Sequence, residues 1–341
     1  MVSMEQELSI ITIADQVQTE ADAYLFLERM RWDGKPVCPH CGNDDRCYYL
    51  TPKSDTGRKT RTGSASQRRV WKCKACRKQF SVLTGTIFHG TKISVRIWIF
   101  VLFEMMASKN GVSAREIERK YNLTAKSAWF MTQRIREAMV REPLAGMMSG
   151  TIVADESFIG GKPKNKHQQG RKPTHTGAYG RKRPGPVSDK PAVLSLIDTA
   201  TGEVRSKVVP NVQGATLRKA IAEQVDMART HLRTDGSGSY KSFSHEFASH
   251  ETVDHSASIY VRWADDGEVI TSNAAENFFS QLKRSIDGTH HHVSTKHLHR
   301  YLAEFDYRYS TRHLSDSARM RKVIGQSDGR RLTYRPLLDG P

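Results

Sequence analysis

The sequence predicts an α/β protein in which a mixed five-stranded sheet with helices follows a small cysteine-rich module and a pair of helices. Three observations predict this order. Four of the five cysteines form two C-x-x-C pairs within residues 38–76. Residues 92–142 show helical periodicity. From residue 150 onward, short apolar runs alternate with helical patterns, which is typical of an α/β domain.

Composition and charge narrow the class of partner. The chain has 341 residues, enough for two or three domains, and 53 Lys and Arg stand against 36 Asp and Glu, for a net charge of +17. Such a basic chain favours a polyanion, most often nucleic acid, over the alternative of a basic surface without a charged partner. The longest apolar stretch, residues 97–107, contains Glu104 and is too short to span a bilayer. We therefore expect an intracellular protein without a membrane partner.

The cysteine pairs predict a zinc ribbon within residues 35–90, after a helical lead-in over residues 1–34 in which Thr19 is the expected helix cap. Two thiolates separated by two residues can bind one tetrahedral zinc ion, and a second pair completes the site. Four thiolates leave no open coordination position, so we expect one structural Zn²⁺. Cys47 is left over as an ordinary small side chain. The expected ligands are Cys38, Cys41, Cys73 and Cys76.

Residues 91–148 are expected to form a helix-turn-helix-like, DNA-binding region. Ser113 and Glu116 have the spacing of a capping box, and Thr124 is the expected N-cap of the following helix. The alternative is an ordinary helical bundle with a solvated basic face. The second helix has side chains that could face DNA, namely Lys126, Gln133, Arg134 and Arg136.

Residues 149–312 predict a ribonuclease H-like fold. The first strand, "TIVADESF", has a buried run, "TIVA", that is followed by Asp155 and Glu156, and a hairpin with Thr201-Gly202 in its turn comes next. After it come a helix, a strand ending at Asp235, a further strand and two helices. Three strands in hairpin order, followed by alternating helices and strands, are the order of that fold. Residues 160–190 form a basic insert, and residues 313–341 are assigned to a C-terminal tail.

Three acids occupy the positions at which this fold would bring carboxylates together. Asp155 lies on the first strand, Asp235 ends the fourth, and Glu276 lies on a late helix. Hard oxygen ligands suit Mg²⁺ or Mn²⁺, and two such ions can act in phosphodiester chemistry. Helical spacing puts Asn273 and Lys283 on the face of Glu276. The alternative is that each acid forms a separate salt bridge with one of the many Lys and Arg residues.

The motifs "ADESFIGGK", "TDGSGSY" and "SNAAENFFSQLKR", together with the cysteine module, resemble the DDE transposases of bacterial insertion sequences, family 1595, ISXO type. The resemblance runs from about residue 25 to residue 312. It implies a DNA transposase in the cytoplasm or nucleoid of a prokaryotic cell, with Asp155, Asp235 and Glu276 as catalytic acids that ligate two Mg²⁺ or Mn²⁺ ions. It makes Lys283 the basic residue beside the cut. Asn273 would be an auxiliary ligand or, alternatively, the third ligand.

The basic residues around this centre are expected to bind DNA. Because two element ends must be joined, a homodimer or larger assembly on DNA is expected. One rival hypothesis is a zinc-ribbon regulator whose ribonuclease H-like domain is inactive, and another is a nuclease that cuts without joining. A third alternative makes the insert a solubilising segment only. The expected DNA contacts are Lys126, Arg134, Lys162, Lys164, Arg181, Lys182, Arg183, Lys283 and Arg284.

Overall fold

The computed structural model describes residues 7–51, 67–140, 146–160, 190–253, 262–263, 269–270 and 273–334. The chain forms two compact units. One comprises Met1–Val140 and Arg312–Pro341, and the other comprises Arg141–Thr311. The first unit is thus built from both ends of the chain. Within the described ranges, no helix has the length and apolar character needed to cross a membrane.

The first unit begins with two capped helices, α1 (Ile10–Gln16) and α2 (Glu20–Trp32). Thr19 caps α2, as the sequence predicted, and its hydroxyl accepts from the backbone N–H of Asp22 while the Asp22 carboxylate accepts from the N–H of Thr19. This reciprocal pair satisfies donors that would otherwise be unpaired at the helix start. Glu20 and Asp22 also place negative charge at the positive end of the helix dipole.

A three-stranded antiparallel sheet follows: β1 (Cys47–Tyr49), β2 (Trp71–Cys73) and β3 (Gln79–Phe80). The buried carboxylate of Glu28 on α2 accepts from Trp71 Nε1 at 2.8 Å and from Arg69 Nε at 2.9 Å. The Trp71 ring also meets Trp32 of α2 edge to face at 6.1 Å. These contacts hold the small sheet against α2.

The four predicted zinc ligands come together at one end of this sheet. Their sulfur atoms all lie within 4.8 Å of one another, with Sγ–Sγ distances of 3.6 Å for Cys38–Cys76 and 3.7 Å for Cys41–Cys73. Thiolates at about 2.3 Å from a tetrahedral zinc stand about 3.8 Å apart, so the residues fit one structural ion. Cys47 faces Cys73 across the ladder, but its thiol donates to the Asn43 carbonyl and lies outside the set.

Three helices make up the rest of the N-terminal segment: α3 (Val95–Ala107), α4 (Ala114–Tyr121) and α5 (Ala125–Met139). Ser113 and Thr124 are the N-caps of α4 and α5, as predicted. Helix α4 packs against α5. The second half of α5 is enclosed nearly all round, because Gln133, Arg134 and Arg136 are buried along with its apolar residues.

The C-terminal segment completes this unit. Helix α9 (Asp316–Gly325) lies in the stretch that the sequence assigned to a tail, and it packs against α2, α3 and α5. Met320, Val323 and Ile324 are fully buried there. Arg319 Nη1 donates to the Met106 carbonyl at 2.6 Å, and Arg31 Nε donates to Asp328 at 2.8 Å. Helix α9 is therefore part of the core of the first unit.

The second unit is built on a five-stranded mixed sheet with strand order β6-β5-β4-β7-β8. Strand β5 pairs antiparallel with both β4 and β6, whereas β7 pairs in parallel with both β4 and β8. A separate antiparallel pair joins β9 (Arg262–Trp263) and β10 (Val269–Ile270). The main elements are β4 (Met148–Phe158), β5 (Ala192–Asp198), β6 (Val204–Val209), α6 (Gly214–Ala222), β7 (Val225–Asp235), β8 (Ser249–Val253), α7 (Asn273–Ser285) and α8 (Thr295–Ser310).

Alternation along β4 divides the core between the two faces of the sheet. Ile152 and Ala154 pack on the side of α6, whereas Val153 packs on the side of α7 and α8. Because successive side chains of a strand point to opposite faces, the Asp155 side chain points to the α7 face of the sheet and the Glu156 side chain to the α6 face. This parity decides which helix each acid faces.

The order of elements agrees with the prediction, but two boundaries were wrong. Strand β4 ends at Phe158 as predicted, through its antiparallel pairing with β5, but it begins at Met148 and not at Thr151. Helix α6 stops at Ala222, earlier than the pattern indicated, because the residues from Val225 onward belong to β7. The predicted turn at Thr201-Gly202 is present between β5 and β6.

The cysteine cluster predicts one tightly bound zinc ion per chain. Replacing Cys41 by Ser should abolish zinc retention and expose Trp71, because the small sheet loses the metal ion that joins its two C-x-x-C pairs. Metal analysis and tryptophan fluorescence would measure this. Cys47→Ser is the matched control and should retain one zinc; its loss of zinc would contradict the assignment of the four ligands.

The packing of α9 predicts that the C-terminal segment stabilises the first unit. Ile324→Ala should lower the free energy of unfolding of that unit by about 2–4 kcal/mol, because it empties a fully buried site. Lys322→Ala, on the exposed side of the same helix, should change it by less than about 0.5 kcal/mol. Denaturant unfolding followed by tryptophan fluorescence measures the effect, and equal values for both variants would refute it.

Candidate active site

Two of the predicted acids occupy equivalent positions on neighbouring parallel strands. The register pairs Val153 with Arg233 across β4 and β7, so Asp155 and Asp235 each lie two residues further along. Residues in equivalent register on parallel strands point to the same face, here the face of α7. Each carboxylate is oriented by a backbone N–H: Glu156 N–H donates to Asp155 Oδ1 at 2.7 Å, and Ser237 N–H donates to Asp235 Oδ1 at 3.1 Å.

Helix α7 supplies the opposite wall. It packs on the sheet through Ala275, Phe278 and Leu282, which leaves Glu276 and Lys283 on its exposed side. A pocket of about 780 Å³ lies between this side of α7 and the end of β4. Its lining comprises Asp155, Glu156 and Ser157 of β4, Glu276, Phe279, Ser280, Lys283 and Arg284 of α7, and Asp287 and Gly288 of the π-helical turn that follows α7.

The charges around Asp155 act on its proton affinity. Burial raises the pKa of the Asp155 carboxyl from 3.8 to about 6; the Glu156 N–H opposes this, and the charges of Asp235 and Glu276 add to it. Lys283 lowers the same pKa. Like charges placed this close repel one another unless a proton or a cation lies between them. A cation beside this group could relieve such repulsion.

Glu156 points to the other face and forms a buried pair. The phenol of Tyr240, which is fully buried, donates a hydrogen bond to Glu156 Oε1. Burial raises the pKa of Glu156 from 4.5 to about 7, whereas the bond from Tyr240 lowers it. Burial and the neighbouring carboxylates raise the pKa of Tyr240 well above 10.

The three acids are near one another without forming a closed ligand set. Among the described residues, the cysteines alone bring three or more ligand atoms within 4.8 Å. Glu276 and Lys283 line the pocket, as helical spacing indicated, whereas Asp235 and Asn273 are not among its lining residues. Asn273 is the first residue of α7, one turn before Glu276.

The predicted DNA contacts are placed in different ways. Lys283 and Arg284 are exposed at the pocket, and Lys126 is exposed in the first turn of α5. Arg134 is only 4% exposed and does not fit the predicted DNA contact, since its guanidinium donates to the His89 carbonyl at 2.7 Å and stacks over Trp98. The remaining predicted contacts fall outside the described residues, namely Lys162, Lys164, Arg181, Lys182 and Arg183.

Sequence reasoning missed the partnership of Glu156 and Tyr240. Strand alternation could have separated Glu156 from Asp155, because the two residues are adjacent in one strand. No local signal marks Tyr240 as its partner, since 84 residues separate the two in the chain. Ser157 and Asp287 were also missed as pocket residues.

Comparison with known proteins identifies both parts of the chain. Residues 147–310 match the ISXO2-like transposase domain, and residues 18–79 match the transposase zinc-ribbon domain of the same group. A protein of the transposable element ISH50 from Halobacterium salinarum is 25% identical over 293 residues, which is 85% of this chain and 90% of that protein. Both domains, in this order, place the chain in the IS1595 family of insertion-sequence transposases.

Proposed function

We propose that this chain is a DNA transposase that cuts the ends of an insertion sequence and joins them to target DNA. The observation that supports this most directly is the equivalent register of Asp155 and Asp235 on neighbouring parallel strands, opposite Glu276 on α7. Such a site would gather carboxylates from separate elements near the carboxyl ends of β-strands, which is where open α/β sheets bind ligands. The +17 net charge suits a DNA substrate.

The topology supports assigning the second unit to the ribonuclease H-like fold. Three antiparallel strands lead into two parallel ones, with the first strand in the centre, which is the order expected from the sequence. The domain limits inferred from the sequence are retained as part of this proposal: residues 35–90 as the zinc ribbon, 91–148 as the DNA-binding helices and 149–312 as the catalytic domain. The zinc ribbon would act with the DNA-binding helices to recognise element ends.

We assign Asp155, Asp235 and Glu276 as the ligands of two Mg²⁺ or Mn²⁺ ions, with Asn273 as an auxiliary ligand. The donor set fits, because these are hard oxygen ligands whose mutual repulsion a divalent cation relieves. When bound, such ions activate the attacking oxygen and stabilise the leaving oxygen of a phosphodiester. Glu276 is preferred to Asn273 as the third ligand because a charged oxygen binds Mg²⁺ more strongly than an amide oxygen.

The side chains on the α7 wall would hold the DNA backbone in place. Lys283 and Arg284 are exposed and line the same pocket as Glu276. Cations in that position can neutralise DNA phosphates and fix the register of the DNA strand. Their position next to the acids restricts the scissile phosphate to the pocket. The basic insert and Lys126 are proposed to add sequence-independent contacts. Because two ends must be joined, we propose a homodimer or larger assembly on DNA.

Replacing the proposed ligands should abolish strand cleavage and joining while leaving DNA binding intact. Asp155→Asn, Asp235→Asn and Glu276→Gln should each lower the cleavage rate by at least about 10³-fold, because each removes a charged oxygen from the metal site. The measurement uses duplexes containing the DNA that flanks the gene, with Mg²⁺ or Mn²⁺. Glu223→Gln, an exposed acid of the same unit outside the pocket, is the control and should retain activity.

The outcomes separate the rival functions. Binding to the ends without any cutting by the wild-type chain would support the regulator. Cutting without joining would support the nuclease. If Glu276→Gln retains activity and Asn273→Ala does not, Asn273 is the third ligand.

The raised pKa of Asp155 predicts a cost in stability at neutral pH. Its carboxyl has a pKa of about 6 in the folded chain against 3.8 when unfolded, so the folded chain binds more protons between these values and loses stability as the pH rises through them. Asp155→Asn should therefore stabilise the metal-free second unit, by on the order of 1–3 kcal/mol at pH 7.5 and roughly half as much at pH 5.

Thermal unfolding at the two pH values, followed by circular dichroism, measures this difference. Adding Mg²⁺ should raise the midpoint of the wild-type chain and leave that of Asp155→Asn nearly unchanged. A variant that is no more stable than the wild type at pH 7.5 would show that Asp155 is not under electrostatic strain.

A further inference from the structure

The backbone pairing between β4 and β7 stops before it reaches the two acids. The last paired residues are Val153 and Arg233. Beyond them, β4 remains paired with β5 and β7 remains paired with β8, so each acid is held by its outer neighbour. No ladder pairing therefore fixes the separation between Asp155 and Asp235.

One hydrogen bond spans the same gap on the opposite face of the sheet. Glu156 directly follows Asp155, and Tyr240 lies five residues after Asp235. The phenol of Tyr240 donates to the Glu156 carboxylate in a buried setting, where a hydrogen bond is strong and an unpaired polar group is costly. The end of β4 is thereby tied to the turn that follows β7.

The turn that contains Tyr240 is itself held in place. The first residue of α6, Gly214, approaches it so closely that a methyl group there would lie 2.7 Å from the Ser239 carbonyl oxygen. The Tyr240 ring packs between Phe243 and His250, with ring centres at 5.8 and 6.2 Å. Tyr240 is therefore a fixed point against which Glu156 can be positioned.

We infer that Glu156 and Tyr240 form a clamp that sets the separation of Asp155 and Asp235, and that both act as positioning residues for the metal-binding carboxylates. This inference rests on the proposed function, because it assigns those two acids to a metal site. Partners of this kind orient ligands without touching the ion, and their loss usually costs about 10–100-fold in metal affinity or activity. The clamp differs from a fourth ligand, because it needs a hydrogen-bond acceptor at Glu156 and not a charge.

Conservative variants test this difference. Tyr240→Phe keeps the ring and loses the donor, and Glu156→Ala loses the acceptor. Both should weaken Mn²⁺ binding by about 10-fold and slow cleavage by about 10–100-fold. Glu156→Gln retains an amide oxygen that can accept from Tyr240, so it should stay within about 3-fold of the wild type on both measures.

The measurements are Mn²⁺ titration calorimetry on the zinc-loaded full chain, with and without element-end DNA, and strand cleavage on the same preparations. Tyr121→Phe is the matched control, since Tyr121 donates to Glu104 at 2.8 Å in the first unit and its loss should leave Mn²⁺ affinity unchanged. The two Glu156 variants provide an independent route if Tyr240→Phe unfolds the unit.

Two results with the variants would overturn the clamp. Wild-type Mn²⁺ affinity and cleavage in Tyr240→Phe would show that the bond does not position the acids. A Glu156→Gln variant as inactive as Asp155→Asn would make Glu156 a ligand. A wild-type chain that binds Mn²⁺ but does not cut would contradict the transposase proposal alone, because the Mn²⁺ titrations still test the clamp. A chain that binds no Mn²⁺, even with DNA, would overturn both.

Discussion

The burial of the Asp155 carboxyl on the central strand, with the charges of two further acids acting on it, is the constraint on which the candidate site depends. Asp155 is largely buried, and the charges of Asp235 and Glu276 both act on it. Burying a carboxylate near other acids lowers the stability of the folded protein. Such a group therefore indicates a functional site. The backbone N–H of Glu156 and the cation Lys283 both lower the pKa of Asp155, and the N–H of Ser237 orients the Asp235 carboxylate.

The sheet creates this crowding through the mixed pairing of its central strand. Strand β4 is antiparallel to β5 on one side and parallel to β7 on the other, and the two ladders end at different residues. Pairing with β5 supports the backbone of Asp155, while the earlier end of pairing with β7 opens a gap beside it. The acids lie at this gap near the carboxyl ends of two parallel strands, which is where α/β sheets commonly bind ligands.

The sequence predicted those features of the molecule that are encoded by short-range spacing. The C-x-x-C pairs, the caps Thr19, Ser113 and Thr124, and the turn at Thr201-Gly202 each depend on residues a few positions apart. The acids could be proposed because each ends or interrupts an apolar run. The partnership of Glu156 with Tyr240 could not, since it depends on how β4 and the turn after β7 meet in three dimensions. Likewise, the pattern of residues 316–325 indicated nothing about which helices they would pack against.

Arg134 illustrates why a basic residue on a predicted recognition helix is weak evidence for a DNA contact. Helical spacing gives the face of a residue relative to its own helix, but α4 and α9 decide which faces of α5 remain open. The guanidinium of Arg134 can be buried because a carbonyl oxygen and aromatic rings surround it. The surface that α5 could offer to DNA is therefore its first turns, where Lys126 is exposed and lies 4.3 Å from the ring of Tyr334. Recognition helices contact bases chiefly through their N-terminal residues. An α5 surface limited to its first turns therefore agrees with the proposed DNA-binding role of this helix.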